Sequence, residues 1–354
     1  MLSVVYANDS ILLLPEPTGP YGVGTANIGL KDTSRTQLRD TKERRWMATV
    51  FYPTRKTNAT SPYMFGTLID GTIYGVKILG HSIPDTPIIQ SRKLPIILAF
   101  PGRGGERQGE TILYEALASH GYIVITMDQP YVANFVKFPA GEKITLTFKD
   151  LWYLRHDRDY RYQYDDEVIA SAIKDIDFTL ENLHLFGKLS DSFDTNKIIL
   201  LGHSIGGNIT HIKGFKDKRI KAIVDIDSKI TEREVFGHIG VPPPNPDKKP
   251  VLFIRGMMQY QEDVGDQLIK IPNSTVWSPL VQHSAFSDRA YISKKIPNYG
   301  MGFWQAFYNW FAQQGPYFSD IDTDLGNYSV DEWFKIYPEY IIKWLDKVIY
   351  QKQQ

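Results

Sequence analysis

The chain of 354 residues contains no cysteine. It therefore has no disulfide, no thiolate metal site and no cysteine nucleophile. The absence leaves the cellular compartment open, because a chain without cysteine is compatible with both reducing and oxidising surroundings.

The sequence also lacks net charge and long hydrophobic runs. Its 40 basic and 40 acidic side chains cancel, so no net field draws it to phosphate backbones or anionic membranes, and nucleic acid is not an expected partner. No run of about 18 apolar residues is present, and no membrane-spanning segment is expected. Hydrophobic residues nevertheless make up 42% of the chain, which indicates a packed globular core.

The first seven residues end in Val5-Tyr6-Ala7, which is similar to the small-residue end of a secretory signal. The apolar stretch before it is far too short for a complete signal, so it is either the remnant of a longer one or a coincidence. We expect export, secreted or periplasmic, rather than a cytoplasmic location.

Short β-branched hydrophobic runs alternate with helix-like stretches, a pattern typical of parallel strands joined by crossover helices. It predicts an α/β fold with a mostly parallel central sheet and helices on both faces, in one domain with insertions near 131–164 and 229–250. The predicted strands are Met47–Tyr52, Leu94–Phe100, Tyr122–Met127, Lys197–Leu201, Ile220–Ile226, Val251–Arg255 and Ser274–Trp277. The predicted helices are Gly109–His120, Asp165–Leu185, Ile205–Phe215 and Tyr337–Tyr350.

The stretch Gly202-His203-Ser204-Ile205-Gly206 lies between a predicted strand and a predicted helix. A Gly-x-Ser-x-Gly sequence in that setting is typical of a nucleophile elbow, a sharp turn that exposes one serine at the carboxyl edge of a sheet. The glycines are needed because side chains at their positions would collide with neighbouring structure. An inert tight turn is the alternative interpretation, and the strand-turn-helix context favours Ser204 as a nucleophile.

A serine hydroxyl needs a base, and the base needs an orienting acid; after such an elbow their chain order is serine, acid, histidine. Only His211, His238 and His283 follow Ser204. His211 falls inside the next predicted helix, and His238 precedes a proline-rich loop. His283 follows the last predicted strand, where a loop can return an imidazole to the serine, and is the predicted base.

The acid is expected at the carboxyl end of a strand after Ser204. Asp227 stands at the exit of the strand Ile220–Ile226 and is the first choice, with Asp225 second because alternation places it on the same face. Glu262 and Asp263, after the following strand, come third.

The tetrahedral intermediate of ester cleavage requires two backbone N–H donors. We predict the N–H of Ile205, directly after the nucleophile, and the N–H of Arg103 in the loop Pro101-Gly102-Arg103-Gly104-Gly105. The loop does not fit a dinucleotide or phosphate site, because it has neither the third Rossmann glycine nor a Gly-Lys-Ser/Thr ending.

With these residues placed, the chain resembles the plasma-type platelet-activating-factor acetylhydrolase family, also called lipoprotein-associated phospholipase A2, of the α/β-hydrolase superfamily. The resemblance runs almost end to end. It rests on Leu14 to Gly24, Phe51-Tyr52-Pro53, Ala118 to Tyr122, Leu151 to Arg155, Gly202 to Gly207, Arg219 to Asp227 and His283 to Asp288. Carried over by position, it implies Ser204, Asp227 and His283 as the catalytic triad and strengthens Asp227 over Asp225.

The resemblance implies a calcium-independent serine esterase that cleaves the sn-2 ester of phospholipids with short or oxidised acyl chains. Two positions depart from the family. Pro101-Gly102-Arg103-Gly104 replaces its usual His-Gly-x-Gly, and Ile205 stands where an aromatic residue is common, so the acyl pocket is reshaped. A general carboxylesterase or a cutinase-like polyester hydrolase is the alternative of the same class, and a non-catalytic binding protein on this scaffold is the alternative of another.

Other features point less clearly to function. An aromatic stripe at helical spacing is formed by Phe303, Trp304, Phe307, Trp310 and Phe311. Such a stripe is more typical of core packing than of lipid docking. The same caution applies to interpreting the apolar stretch 63–76 as an interfacial segment. Asp320 to Asp324 lacks the glycine of a calcium loop, because Leu325 occupies the sixth position. No histidine pair has metal-ligand spacing, and neither a metal nor a cofactor is expected.

Overall fold

The computed structural model describes residues 10–63, 72–73, 76–89, 92–228, 245–256, 268–296 and 324–350. The strands in these ranges are β1 Ser10–Leu13, β2 Gly22–Thr36, β3 Glu43–Thr54, β4 Ser61–Pro62, β5 Thr72–Ile73, β6 Val76–Gly80, β7 Ser82–Pro84, β8 Leu94–Phe100, β9 Ile123–Met127, β10 Phe135–Lys137, β11 Lys143–Thr145, β12 Phe193–His203, β13 Ile220–Ile226, β14 Val251–Ile254 and β15 Ser274–Trp277.

The helices in the same ranges are α1 Thr111–Ser119, α2 Phe148–His156, α3 Arg158–Glu181, α4 Ile205–Lys216, α5 Asp288–Lys295 and α6 Val330–Tyr350. Two 3-10 helices span Leu183–Ser192 and His283–Phe286.

Nine of these strands form one sheet in the order β15-β14-β13-β12-β8-β9-β3-β2-β7. The six strands from β15 to β9 are parallel to one another, whereas β3 runs antiparallel to both β9 and β2. Every residue of β8, β9 and β14 is buried. This explains why these strands read as continuous hydrophobic runs, since a parallel sheet is covered on both faces.

Alternation along the strands divides the core into two layers. One layer contains Ile97 and Ala99 of β8, Ile199 and Leu201 of β12, Leu117 of α1 and buried residues of α6. The other layer contains Ile96, Leu98 and Phe100 of β8, Leu200 of β12, and the α3 and α4 side chains of Ile176 and Ile209. Helices therefore cover both faces of the sheet, and the fold class predicted from the sequence is confirmed.

The register brings three strand ends together. Gly202 of β12 pairs with Phe100 of β8, and His203 pairs with Ile226 of β13. The segments that follow these strands contain the predicted oxyanion loop, the predicted nucleophile and the predicted acid, and they therefore begin at the same edge of the sheet.

Two helices begin earlier than the sequence pattern predicts. α3 starts at Arg158 rather than Asp165, because the Asp157 side chain caps it by accepting the Tyr160 N–H at 2.9 Å. α6 starts at Val330 rather than Tyr337: Ser329 and Glu332 cap it reciprocally, and Pro338 is accommodated in its interior. A capping box of the form Ser-x-x-Glu is a sequence signal for this start.

The predicted insertion 131–164 contains the β10–β11 hairpin, α2 and the first turns of α3. Most of the second insertion, residues 229–244, lies outside the described residues, as do the N-terminal segment 1–9, the aromatic stripe, residues 64–71 and Asp320 to Asp322. Within the described ranges, no helix is both long enough and apolar enough to cross a bilayer.

Candidate active site

Ser204 occupies a strained turn between β12 and α4. Its backbone has φ 55° and ψ −122°, a left-handed region that costs a non-glycine residue about 1–3 kcal/mol and persists only where the surrounding structure holds it. The Ser204 N–H donates to Ile226 O at 2.8 Å, and the Gly207 N–H donates to Ser204 O at 2.9 Å. These bonds fix the serine at the carboxyl end of β12.

The two flanking glycines are required by close backbone contacts. A Cβ atom at Gly202 would lie 2.1 Å from the Gly206 carbonyl oxygen, and one at Gly206 would lie 2.1 Å from the Phe100 carbonyl oxygen. Because all the opposing atoms belong to backbone, no side-chain rotation relieves either clash.

We expect Gly202→Ala to lower the free energy of unfolding by about 3 kcal/mol, since overpacking against backbone costs this much or more. Thermal unfolding measures the loss. Gly29→Ala is the matched control, because the added methyl would meet only Met47 Sδ at 3.6 Å, an ordinary contact. Equal melting temperatures for the two variants would contradict the packing argument.

Asp227 and His283 are brought together by a hydrogen bond. Asp227 is fully buried directly after β13, and its Oδ2 lies 2.6 Å from His283 Nδ1. Two further bonds fix Asp227: its backbone N–H donates to Ile254 O at 2.7 Å, and its carboxylate Oδ1 accepts the Gly256 N–H at 2.7 Å. A carboxylate at Nδ1 places the imidazole proton there and leaves the Nε2 lone pair able to accept another proton.

The segment that carries His283 is anchored by neighbouring elements. The Trp333 indole N–H of α6 donates to Ala285 O at 2.8 Å. The Gln282 N–H donates to Asp324 O at 2.9 Å. These contacts fix the 3-10 helix that begins at His283, and with it the position of the imidazole.

Asp225, the second-choice acid, has other partners. Its Oδ2 lies 2.6 Å from His211 Nδ1 and 2.7 Å from Ser228 Oγ, and its Oδ1 lies 3.4 Å from Arg255 Nη1. Burial alone would raise the pKa of Asp225, but Arg255, His211 and Ser228 outweigh it, and the pKa lies below the usual value. Asp225 therefore belongs to a buried polar network under α4 that also takes up His211.

The side chains of Asp225 and Asp227 were expected on one face of the strand. They have different partners because β13 ends at Ile226 and Asp227 adopts φ 50°. The third-choice acids, Glu262 and Asp263, and the discounted His238 lie outside the described residues.

The predicted oxyanion loop lies against the serine. A Cβ atom at Gly102 would be 3.1 Å from Ser204 Cβ. The Gly104 N–H donates to Val132 O at 3.0 Å and the Gly105 N–H donates to Gly102 O at 2.9 Å, so both groups already have backbone acceptors. For the Arg103 N–H, no such bond is found among the described residues.

The second predicted donor is the N–H of Ile205. Ile205 is the first residue of α4, and the first N–H groups of a helix have no intrahelical acceptor. The Arg103 side chain is paired with Asp165 of α3, and its guanidinium carbon lies 5.7 Å from the centroid of the Tyr164 ring.

One buried carboxylate was not singled out from the sequence. Asp288 accepts the Thr111 N–H at 2.6 Å, the Ile112 N–H at 3.2 Å and the Tyr63 hydroxyl at 3.0 Å. Burial raises its pKa well above the usual value despite these three bonds. Asp288 thereby ties the start of α1, which follows the oxyanion loop, to the segment after His283. The only sequence signal is its position at the end of the quoted His283 to Asp288 motif.

Comparisons with known proteins give a relative and a structural neighbour. No family model matches the chain. A curated protein of Arthroderma benhamiae, "Probable 1-alkyl-2-acetylglycerophosphocholine esterase", is 28% identical over 248 residues, which cover 62% of this chain and 59% of that protein. The matched region thus spans less than two thirds of the relative's length. The match confirms the resemblance to the platelet-activating-factor acetylhydrolase family.

A solved ferulic acid esterase from Streptomyces cinnamoneus superposes with a TM-score of 0.70 at 23% identity, over 98% of this chain and 95% of that chain. At this identity the likeness bears on the fold alone. The sheet order, the helices on both faces and this neighbour together establish the α/β-hydrolase fold.

Proposed function

We propose that this α/β-hydrolase chain is a serine esterase in which Ser204, His283 and Asp227 act as nucleophile, base and orienting acid. The observation that carries the proposal is the 2.6 Å contact between His283 Nδ1 and the buried Asp227 carboxylate. Ser204, in its strained turn, is bonded through its N–H to Ile226 O, the carbonyl of the residue before Asp227. A buried aspartate at Nδ1 is what a histidine needs to serve as a general base through Nε2.

The reaction proceeds in two halves. Ser204 Oγ attacks the ester carbonyl while His283 Nε2 takes the hydroxyl proton, and the N–H groups of Ile205 and Arg103 stabilise the oxyanion. His283 then returns the proton to the leaving alkoxide, which departs as the alcohol and leaves an acyl-enzyme. A water molecule, deprotonated by His283, releases the acid, and the proton returns to Ser204.

For the substrate, we propose the sn-2 ester of a phospholipid with a short or oxidised acyl chain, as in 1-alkyl-2-acetylglycerophosphocholine. The similarity to the Arthroderma benhamiae protein, a probable 1-alkyl-2-acetylglycerophosphocholine esterase, supports this class, as do the motifs that resemble those of the acetylhydrolase family. In the proposed chemistry, backbone N–H groups stabilise the negative charge of the oxyanion and His283 moves the protons. The reaction should therefore proceed without calcium.

We expect 1-alkyl-2-acetylglycerophosphocholine to be cleaved at least about tenfold faster than the same lipid with a palmitoyl chain, a ratio within what an acyl pocket can impose. Initial rates with the two lipids, each with and without EGTA, measure the preference and the calcium requirement. The paired lipids differ only in the acyl group, which makes each the control for the other.

The same assay separates the alternatives. Cleavage of nitrophenyl esters without either lipid would indicate a carboxylesterase, and release of monomers from polyester film would indicate a cutinase-like hydrolase. Binding of a lipid without turnover of any ester would favour a non-catalytic binding protein and contradict the proposal.

A further inference from the structure

A second histidine lies directly beside the proposed base. His203, the last residue of β12, precedes Ser204 in the chain. Its ring centroid is 4.7 Å from that of His283, with 37° between the ring planes, and 5.9 Å from the ring of Phe286. Only 7% of His203 is exposed, so a nearly buried ring packs beside the His283 imidazole.

His203 has a buried carboxylate as its partner. His203 Nδ1 lies 3.4 Å from Oε1 of Glu110, the residue directly before α1. Glu110 is 3% exposed, and its other oxygen accepts the Tyr114 hydroxyl at 3.1 Å. The site thus contains two histidine-carboxylate pairs side by side, His283 with Asp227 and His203 with Glu110.

The surroundings favour a proton on His203. Burial by itself would lower the pKa of His203, but Glu110, the Asp227 carboxylate and the His283 carbonyl outweigh it, so that the pKa lies above its ordinary value. Among the described residues, the other titratable groups that interact with Glu110 are Tyr114, Tyr337 and Asp288. None of these three carries a positive charge that would oppose the proton on His203.

We propose that His203, paired with Glu110, is a positioning residue whose positive charge keeps the neighbouring His283 imidazole neutral, and therefore able to accept the serine proton, at lower pH. The proposal rests on the proposed function, because it takes His283 as the base. Its physical reason is that a like charge within about 4–6 Å disfavours the charged form of a titrating group. A second proton on His283 would place two imidazolium rings with their centroids 4.7 Å apart, one of them on the almost fully buried His203.

The variant His203→Gln tests the charge while keeping an amide N–H that can reach Glu110. The acidic limb of the pH profile of kcat/KM reports the pKa of the base in the free enzyme. We expect this limb to move upward by about one pH unit, measured with a nitrophenyl acetate substrate. His120→Gln is the control, because its ring contacts Thr18 at 3.1 Å, away from the site, and its limb should coincide with that of the wild type.

Glu110→Gln provides a second route to the same result. Without the carboxylate, His203 loses the partner that holds its proton, and the acidic limb should again move upward, by a smaller amount. The double variant should match His203→Gln alone rather than add the two shifts, because the two residues act as one pair. A limb that stays at the wild-type position in both single variants would overturn the proposal, even if the plateau rate falls.

A titration without turnover separates this proposal from the esterase assignment. NMR signals of the His283 ring, followed against pH in Ser204→Ala and in Ser204→Ala with His203→Gln, should show the same upward shift. If no ester is cleaved but the shift appears, the function is wrong and the pairing stands. If esters are cleaved and the His283 titration is unchanged by His203→Gln, the pairing is wrong and the function stands.

Discussion

Replacing Asp227 with asparagine should lower kcat about ten-thousandfold while the protein remains folded. The reason lies in the partners of the two carboxylate oxygens. Oδ1 accepts the Gly256 N–H and Oδ2 faces His283 Nδ1. An asparagine has only one acceptor oxygen; if it accepts from Gly256, its NH2 group faces Nδ1. The imidazole then carries its proton on Nε2, where it can no longer accept the proton of Ser204.

Asp225→Asn is the matched control for this variant. It removes the same charge two residues away, from the network with His211, Ser228 and Arg255. Breaking a buried ion pair on one side typically costs about 3–5 kcal/mol, so we expect a lower melting temperature. The kcat of the folded protein should stay within about tenfold of wild type. A collapse of kcat in Asp225→Asn with Asp227→Asn unaffected would reassign the acid.

Ser204→Ala should lower kcat about a millionfold, the loss seen when a serine nucleophile is removed from a triad. Stability should change little, because the serine side chain forms no cap hydrogen bond with α4 and alanine inherits the same backbone strain. Melting temperature and circular dichroism check that the fold persists.

Ser293→Ala is the control for that loss. The Ser293 hydroxyl of α5 contacts only Ala290 O, at 3.1 Å, among the described residues. Its removal should leave kcat unchanged. Hydrolysis at the wild-type rate by Ser204→Ala would contradict the assignment of the nucleophile.

The sequence predicted the central parallel strands well, and the reason is physical. β8 and β13 coincide with their predicted bounds, because strands covered on both faces leave a run of apolar residues between turns. The bounds of β15 were also predicted, although this edge strand is only partly buried. The long strand β2 was not predicted. It mixes glycine and polar residues, and much of it is exposed, so its place in the sheet depends on pairing with β3 rather than on a local pattern.

The candidate site could likewise be predicted from the sequence only in part. Ser204, Asp227 and His283 could be chosen from chain order and strand ends, because these are local signals tied to one edge of a sheet. The partners of Asp225 and the pairing of His203 with Glu110 could not be chosen. They join residues that only the packing of α1 and α4 on the sheet brings into contact, and no spacing in the chain encodes that packing.

The central claim is that Ser204 forms the acyl-enzyme, and covalent labelling tests it most directly. The protein is incubated with a fluorophosphonate, digested and analysed by peptide mass spectrometry, with Ser204→Ala in parallel. We expect one label per chain, on Ser204, with wild-type esterase activity lost in proportion to labelling and no label in the variant. Full labelling of another residue, or stoichiometric labelling of Ser204→Ala, would contradict the account.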